Sequence, residues 1–274
     1  MPEPVLRAIH LYPVKSLAGA GPGEAVVEPW GLAGDRRWML VDAERRLVTQ
    51  RPHPRLALAA AEGLPGGAVR LTAPGMEPLT VEVPEPGRTV TVGIWRDEVE
   101  AVPAGPAAAA WCSRYLGMPV ELVHLDAPAE RRPVDPQFSR PGDTVSFADG
   151  YPLLLTTTAS LDALNSLIAQ GDHPDEGPLP MDRFRPNAVI DGTAPWAEDT
   201  WRTVRIGSVV LDVAKPSGRC VVTTTDQRTA ERGKEPLRTL ARHHRVMERP
   251  VFGQNLIPRT TGTIRVGDPF DVLA

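Results

Sequence analysis

Cysteine is scarce in this chain. Two in 274 residues, Cys112 and Cys220, cannot build a disulfide framework, and neither stands in a C-x-x-C or Cys/His zinc spacing. No apolar run approaches the roughly 20 residues that span a bilayer. The opening Met1-Pro2-Glu3-Pro4 lacks the basic patch and apolar core of a signal peptide. A basic excess is missing too: 30 Lys and Arg stand against 34 Asp and Glu, a formal net charge of −4, which speaks against nucleic-acid binding. There is no G-x-G-x-x-G after a strand, no Walker-A loop, no G-x-S-x-G elbow and no H-E-x-x-H. A Rossmann dehydrogenase, P-loop NTPase, α/β-hydrolase or zincin is therefore disfavoured. These absences together read as a soluble, cytoplasmic protein with no membrane or nucleic-acid partner.

Proline is what the chain has in excess. Thirty prolines beside 24 glycines favour many short elements joined by turns, which is incompatible with a coiled coil or helical bundle. With 42% hydrophobic and 23% charged residues the balance is that of a globular protein. Strand-like segments dominate: Val5–Tyr12, Arg37–Asp42 and Leu47–Thr49 around a polar link, Val69–Thr72, Leu79–Val83 and Thr89–Ile94. Strands resume at Asn187–Asp191, Thr203–Ala214 with a turn near Gly207, Val221–Thr224 and Thr263–Leu273. Three short helices are expected. Ala107–Leu116 places Ala108, Trp111, Cys112 and Tyr115 on one face; Ser160–Gln170 repeats Leu161, Leu164, Leu167 and Ile168; Pro236–His244 puts Leu237, Leu240 and Ala241 on one side. The spacing predicts a mainly β (α+β) fold of barrel or sandwich type. The polar, proline-rich stretch Asp126–Pro141 is read as a linker, with an ordered crossing near a site as the other reading.

Four clusters offer chemistry. Tyr12-Pro13-Val14-Lys15-Ser16 ends a strand and presents an ammonium and a hydroxyl. Gly31-Leu32-Ala33-Gly34-Asp35-Arg36-Arg37-Trp38 is a glycine turn delivering two guanidiniums, with a plain hairpin pairing Asp35 to Arg36 or Arg37 as the simpler reading. In Arg183-Phe184-Arg185-Pro186-Asn187, Pro186 is expected to hold Arg185 extended, so that Arg183, Arg185 and Asn187 share a face suited to phosphate or carboxylate, with ion pairing to Asp182 or Asp191 as the simpler reading of this cluster alone. In Lys215-Pro216-Ser217-Gly218-Arg219-Cys220 a cysteine follows a flexible turn and a guanidinium, the setting of an accessible thiolate and soft-metal ligand. Cys112, on a helix face, reads as a small buried hydrophobe. Adjacent His243 and His244 point in different directions on a helix and do not make a metal pair.

With these residues in view, the sequence resembles the two-domain MOSC proteins, the type that includes the mitochondrial amidoxime-reducing component and its bacterial counterparts. The matching stretches are Leu11–Ser16, Asp35–Trp38, Val48–Arg51, Pro54–Leu56, Ala159–Leu161, Phe184–Asn187, Glu198–Trp201, Arg219–Cys220, Glu235–Leu237, Phe252–Asn255 and Val266–Asp268, in the family's order. The resemblance implies a β-rich N-terminal domain, here 1–124, packed on a MOSC β-barrel domain, 125–274, with a molybdenum–molybdopterin cofactor between them. It implies that Cys220 binds molybdenum and is the catalytic cysteine. Arg185, Asn187 and Arg219 match residues that hold the pterin or its phosphate, and Lys15, Ser16 and Arg36 match the N-terminal domain's contribution. Asp149 aligns less surely with a cofactor-contacting acid. Gly218 departs from the family, whose members often have a hydroxyl or cysteine side chain there.

The activity the resemblance implies is reduction of N-hydroxylated compounds (hydroxylamines, amidoximes, N-hydroxylated bases) to the amine, with loss of water. The chain carries no clustered cysteines for an iron–sulfur centre, so an external electron-donor protein, a reductase or small carrier, is expected beside the small-molecule substrate. The alternative is a cofactor- or sulfur-carrier protein with Cys220 as a persulfide.

Overall fold

The computed structural model describes residues 3–85 and 87–274; Met1 and Pro2, part of the N-terminal stretch read above, and Pro86 lie outside the described residues. Alternation shapes the N-terminal half. Val69–Ala73 buries Val69 and Leu71 and exposes Arg70 and Thr72, while Val90–Ile94 buries Val90, Val92 and Ile94. This is the period of two expected of sheets with one wet face. One sheet pairs Ala60–Gly63, Val69–Ala73 and Met76–Val81; another runs Trp38–Val41, Glu121–His124, Asp97–Pro103, Val90–Ile94. The helix Pro106–Leu116 begins on proline, ends at Gly117 in the left-handed region (φ 73°), and turns Ala108, Trp111, Cys112 and Tyr115 inward. Those side chains pack with Trp38, Leu40, Leu56 and Leu71 in a single apolar cluster.

The C-terminal half is a nearly closed barrel. Its sheet runs Val5–Ile9, Ala188–Asp191, Leu153–Thr157, Arg249–Pro258, Val209–Gly218, Thr203–Ile206, Phe270–Val272, with Arg245–Val246 added beside Arg249–Pro258. The last stave returns to the first: Leu6 N donates to Asp268 O at 2.9 Å and Phe270 N to Pro4 O at 2.9 Å. Closure satisfies the backbone groups that an open edge would expose. Leu6, Ile9, Leu155, Ile190, Val204, Leu211 and Leu256 fill the interior. The first strand of the chain is thus a stave of the C-terminal barrel, and Glu24–Glu28 pairs with Gly262–Arg265. Gly253 lets two staves approach, because at its φ of 75° a Cβ would lie 2.5 Å from Leu155 O. Four short helices occur among the described residues, and none is long and apolar enough to cross a membrane.

The structure corrects several expectations. Val5–Tyr12 is strand only to Ile9. Val221–Thr224 is a 3₁₀ turn, because the Thr223 and Thr224 hydroxyls bond back to the Cys220 and Val221 carbonyls at 2.9 Å, competing with a ladder. Thr263–Leu273 splits into Gly262–Arg265 and Phe270–Val272 around Gly267, at φ 95°. The last helix is Leu237–His243; Leu240 and Thr239 are buried, and Ala241 is exposed. Asp126–Pro141 is no free linker: Pro128–Arg131 is a helical turn, and Arg132, 2% exposed, donates to the carbonyls of Ser146 at 3.0 Å and Ala148 at 2.6 Å.

Candidate functional site

A cavity of about 1320 Å³ is walled by residues from both halves. Lys15, Ser16, Arg36, Asp149, Arg185, Asn187, Arg219 and Cys220, separated by up to two hundred positions in sequence, all line it. Arg183 does not. Arg185 is left-handed (φ 54°, ψ 48°) where its proline neighbour led us to expect extended backbone. That twist sends Arg183 to Asp226 at 2.9 Å and leaves Arg185 and Asn187 facing the cavity.

Four non-glycine residues at this wall hold positive φ: Ser16 (71°), Arg36 (47°), Trp95 (57°) and Arg185 (54°). Such conformations persist when neighbours over-determine them. Arg36 N donates to Tyr12 O at 2.8 Å, Gln50 Nε2 to Ser16 O at 2.7 Å, and Arg36 Nη2 to Arg185 O at 3.1 Å. Asp35 is buried and ties the corner together, accepting from Arg36 Nη1 at 2.5 Å and Tyr12 N at 2.8 Å, so the simple pairing read from sequence exists inside the site. Asn187 Oδ1 accepts from Arg36 Nη1 at 3.0 Å and Leu154 N at 3.2 Å, while its amide donates to His10 O at 3.2 Å. Its amide oxygen is thereby spent on positioning, while the amide nitrogen keeps a second hydrogen. The guanidinium carbons of Arg36 and Arg185 lie 4.3 and 4.2 Å from the Tyr12 ring centroid.

The electrostatics are one-sided. Ten Lys and Arg side chains line the cavity against four Asp, in a chain that is net negative. Arg185 donates to Leu17 O at 2.7 Å, and Arg219 to Phe184 O and Ser217 Oγ, each at 2.8 Å; neither has a carboxylate partner among the described residues. Burial pulls the Arg185 guanidinium down to about 10, still charged at neutral pH, and lowers Arg219 as well, and no carboxylate stands within ion-pairing distance of either. Arg219 Nε and Tyr12 Oη are buried without any hydrogen-bond partner, and burial pushes the Tyr12 phenol up to about 12. These are the marks of a site built for an anion.

Lys15 and Asp149 form a 2.6 Å ion pair whose lysine is enclosed and whose carboxylate is open to the cavity. Burial brings the Lys15 ammonium down to about 8 against the pull of Asp149. The surrounding protein pushes the Asp149 carboxyl up, but Lys15, Arg51 and Arg36 together hold it well below its ordinary value, fully ionised. Cys220, a free and partly exposed thiol, stands between Arg219 and the 3₁₀ turn. A Cβ at Gly218 would meet nothing within 4 Å, so the missing side chain leaves open space, and Ser217 supplies the hydroxyl that holds Arg219.

The site also contains residues that cluster reading passed over. Gln50 and Arg51 lay in a matching stretch and Ser217 in the fourth cluster without an assigned role, while Trp95 and Arg132 carried no signal beyond residue type. Arg132 fixes the wall by donating to the Asp149 carbonyl at 3.3 Å and to Asp97 at 2.8 Å. Among the described residues no group of three His, Cys, Asp or Glu side chains could hold a metal ion.

Known proteins resemble this chain over most of its length. Residues 3–119 match the MOSC N-terminal beta barrel domain and residues 142–271 the MOSC domain. Mitochondrial amidoxime-reducing component 1 of Homo sapiens is 34% identical over 97% of this chain and 82% of its own length. The Xenopus laevis protein of the same name is 31% identical over 97% and 81%. Molybdenum cofactor sulfurase of Danio rerio is 32% identical over 86% of this chain but only 30% of its own length. The chain belongs to the MOSC family, as a two-domain member related along nearly its whole length to the mitochondrial amidoxime-reducing components.

Proposed function

We propose that the protein is a molybdenum-cofactor-dependent reductase of N-hydroxylated compounds, supplied with electrons by a separate donor protein. The observation that carries this reading is the convergence of a free thiol, Cys220, and two carboxylate-free guanidiniums, Arg185 and Arg219, on one large cationic cavity of a MOSC chain. The residues suit the group. Arg185 and Arg219, with Arg36 and Ser16, would hold an anionic, phosphate-bearing end; Cys220 would contribute one soft ligand; the open space at Gly218 admits bulk beside it. When bound, the cofactor supplies a redox metal able to pass two electrons to an N–O bond, so that R–NHOH, two electrons and two protons become R–NH₂ and water.

The chain's own residues then orient and protonate. Asp35 and Asn187 keep Arg36 in place, and Tyr12 supports Arg36 and Arg185 from the ring face. Lys15 Nζ carries a proton at neutral pH against an ionised Asp149, in contact with cavity solvent through the carboxylate. Protein from a cofactor-competent host should contain about one molybdenum per chain with an organic pterin. Full-occupancy zinc, or no pterin fluorescence after acid oxidation, would overturn the reading. With NADH as electron source, turnover should require an added donor protein; efficient turnover by the isolated chain contradicts this. The division into 1–124 and 125–274 and a cytoplasmic location belong to the same proposal, and limited proteolysis and cell fractionation check them.

The match to the molybdenum cofactor sulfurase favours a second reading, in which Cys220 carries persulfide sulfur. Sulfane sulfur on Cys220 without stoichiometric molybdenum would select it.

A further inference from the structure

The segment 228–249 reverses the charge of the chain. It carries seven Lys and Arg against three Glu, in a protein whose formal net charge is −4. Of the three, Glu235 is buried. Asp172 lies against the segment and takes Arg238 at 2.5 Å and Arg242 at 2.7 Å, one carboxylate for two guanidiniums. Glu176 spends an oxygen on the backbone N–H groups of Lys234 and Glu235, each at 2.8 Å. Glu248 takes Arg245 at 3.1 Å, while Arg249 has no carboxylate partner among the described residues. The surface is left positive.

Apolar side chains stand out of it. Arg245–Val246 and the start of Arg249–Pro258 form a hairpin whose two tip residues, Met247 and Glu248, hold φ of 45° and 63°. Asn and Gly suit such a tip, so a methionine there comes at a cost to the backbone. At 89% exposure Met247 contributes almost nothing to the core, and Val246 at 44% and Val221 at 36% are open as well.

Where this face lies gives it a role. Val221 directly follows Cys220, and the helix Leu237–His243 packs against both the 3₁₀ turn Val221–Thr224 and the hairpin. Arg219 N donates to Pro250 O at 2.8 Å, which roots the hairpin beside Cys220. Arg249 lines the cavity. The hairpin thus has the cavity at its root and solvent at its tip, and a protein resting on it lies over the cysteine.

We propose that Val221, Met247 and the guanidiniums of Arg242, Arg245 and Arg249 form the docking surface for a small acidic electron-carrier protein. It rests on the reductase reading, to which it adds the partner's charge and its place on the fold. Opposite charge steers the encounter, and a few apolar side chains rimmed by cations suit the short-lived complexes of electron carriers, which bury less than about 1,200 Å². For each N–O bond cleaved, two reduced carriers dock in turn and leave oxidised, each having given one electron. Two protons come from solvent, so that R–NHOH becomes R–NH₂ and water.

The test separates docking from chemistry. Cofactor-loaded protein is titrated by calorimetry with an acidic plant-type ferredoxin, an acidic flavodoxin and a basic c-type cytochrome. The wild type is compared with Met247→Asn, which suits the left-handed tip, and with the double variant Arg242→Glu/Arg245→Glu. Expected is binding of an acidic carrier and not of the cytochrome, weakened about tenfold between about 0.02 and 0.2 M salt. The double variant should weaken it about tenfold and flatten the salt dependence, and Met247→Asn should weaken it about tenfold at every salt concentration. Amidoxime reduction driven by the reduced carrier should slow in proportion. Dithionite-driven reduction, pterin content and melting temperature should stay at the wild-type level. Binding of neither acidic carrier, equal binding of the cytochrome, wild-type affinity in either variant, or a loss of dithionite-driven activity or pterin overturns the surface. So does Met247-dependent binding to vesicles of equal parts phosphatidylcholine and phosphatidylglycerol, or a dimer that Met247→Asn abolishes, since the face then serves a membrane or a second copy. Carrier binding that both variants weaken, in a protein that reduces no amidoxime even with dithionite, leaves the surface standing and removes the reductase reading. Dithionite-driven reduction with carrier binding unchanged in both variants removes the surface alone.

Discussion

Changing each cysteine to serine separates packing from chemistry. Cys112 is 3% exposed on the inner face of Pro106–Leu116, clustered with Trp111 and Tyr115, and burial pushes its thiol up to about 12. It stays protonated and shielded at any physiological pH. Cys112→Ser places a hydroxyl where only the helix's own carbonyls can take its hydrogen, so the cost is about 1–3 kcal/mol. At roughly 2–4 °C per kcal/mol for a chain of this size, the melting temperature should fall by about 2–12 °C, with molybdenum per folded chain unchanged. Cys220 differs in every respect. Its side chain is partly exposed at the cavity wall, and its carbonyl, not its sulfur, takes the bonds from Thr223 N at 3.0 Å and Thr223 Oγ1 at 2.9 Å. Cys220→Ser therefore leaves that turn intact, and stability should change by no more than about 0.5 kcal/mol. The hydroxyl is a harder and far more basic donor than a thiolate, so reduction of N-hydroxylated substrates should be abolished while much of the pterin remains. Melting curves, pterin, molybdenum and activity on both variants decide the matter. Near-normal activity in Cys220→Ser, or selective metal loss in Cys112→Ser, would refute the assignment.

Asp35→Ala should cost about 3–5 kcal/mol in urea unfolding, because it leaves the enclosed Arg36 guanidinium without its carboxylate and Tyr12 N without its acceptor; a loss under about 1 kcal/mol contradicts this. Arg185→Gln removes a buried charge that no carboxylate neutralises, so cofactor-free protein should lose at most about 1 kcal/mol while pterin retention collapses; wild-type pterin content in the variant speaks against its role. His244 faces acceptors on both ring nitrogens, Val251 O at 2.8 Å and Asp199 Oδ2 at 2.7 Å. Burial lowers its basicity, but the bonds to Asp199 and Val251 outweigh that and raise the folded value above 6.5. Its contribution to stability is then complete below pH 6.5 and lost as pH rises through the folded value. Urea midpoints between pH 5.5 and 8.5 should show this decline in the wild type and not in His244→Gln; parallel profiles would refute it.

Local pattern settled the elements whose partners lie close in sequence. Helical spacing placed Ala108, Trp111, Cys112 and Tyr115 on one buried face, and the structure has them there, because a helix turns the same way in any context. Strand density, proline excess and the turn at Gly207 likewise announced a β-rich fold of short elements. Local rules misled where distant groups compete with them. Arg185 should be extended before Pro186, yet its carbonyl accepts Arg36 from 149 positions away and its guanidinium reaches Leu17 from 168, and those bonds hold it left-handed. Asp126–Pro141 reads as a linker by composition, but Arg132 finds carbonyl oxygens at Ser146, Ala148 and Asp149 and a carboxylate at Asp97, which burial makes costly to give up. Residue identity therefore determined which groups could bind an anion or a soft metal. Which of them remain uncompensated, as Arg185 and Arg219 do while Arg183 is neutralised by Asp226, was decided by the tertiary structure alone. A guanidinium's availability depends on what the rest of the chain brings within about 3 Å of it, and desolvation makes that difference large.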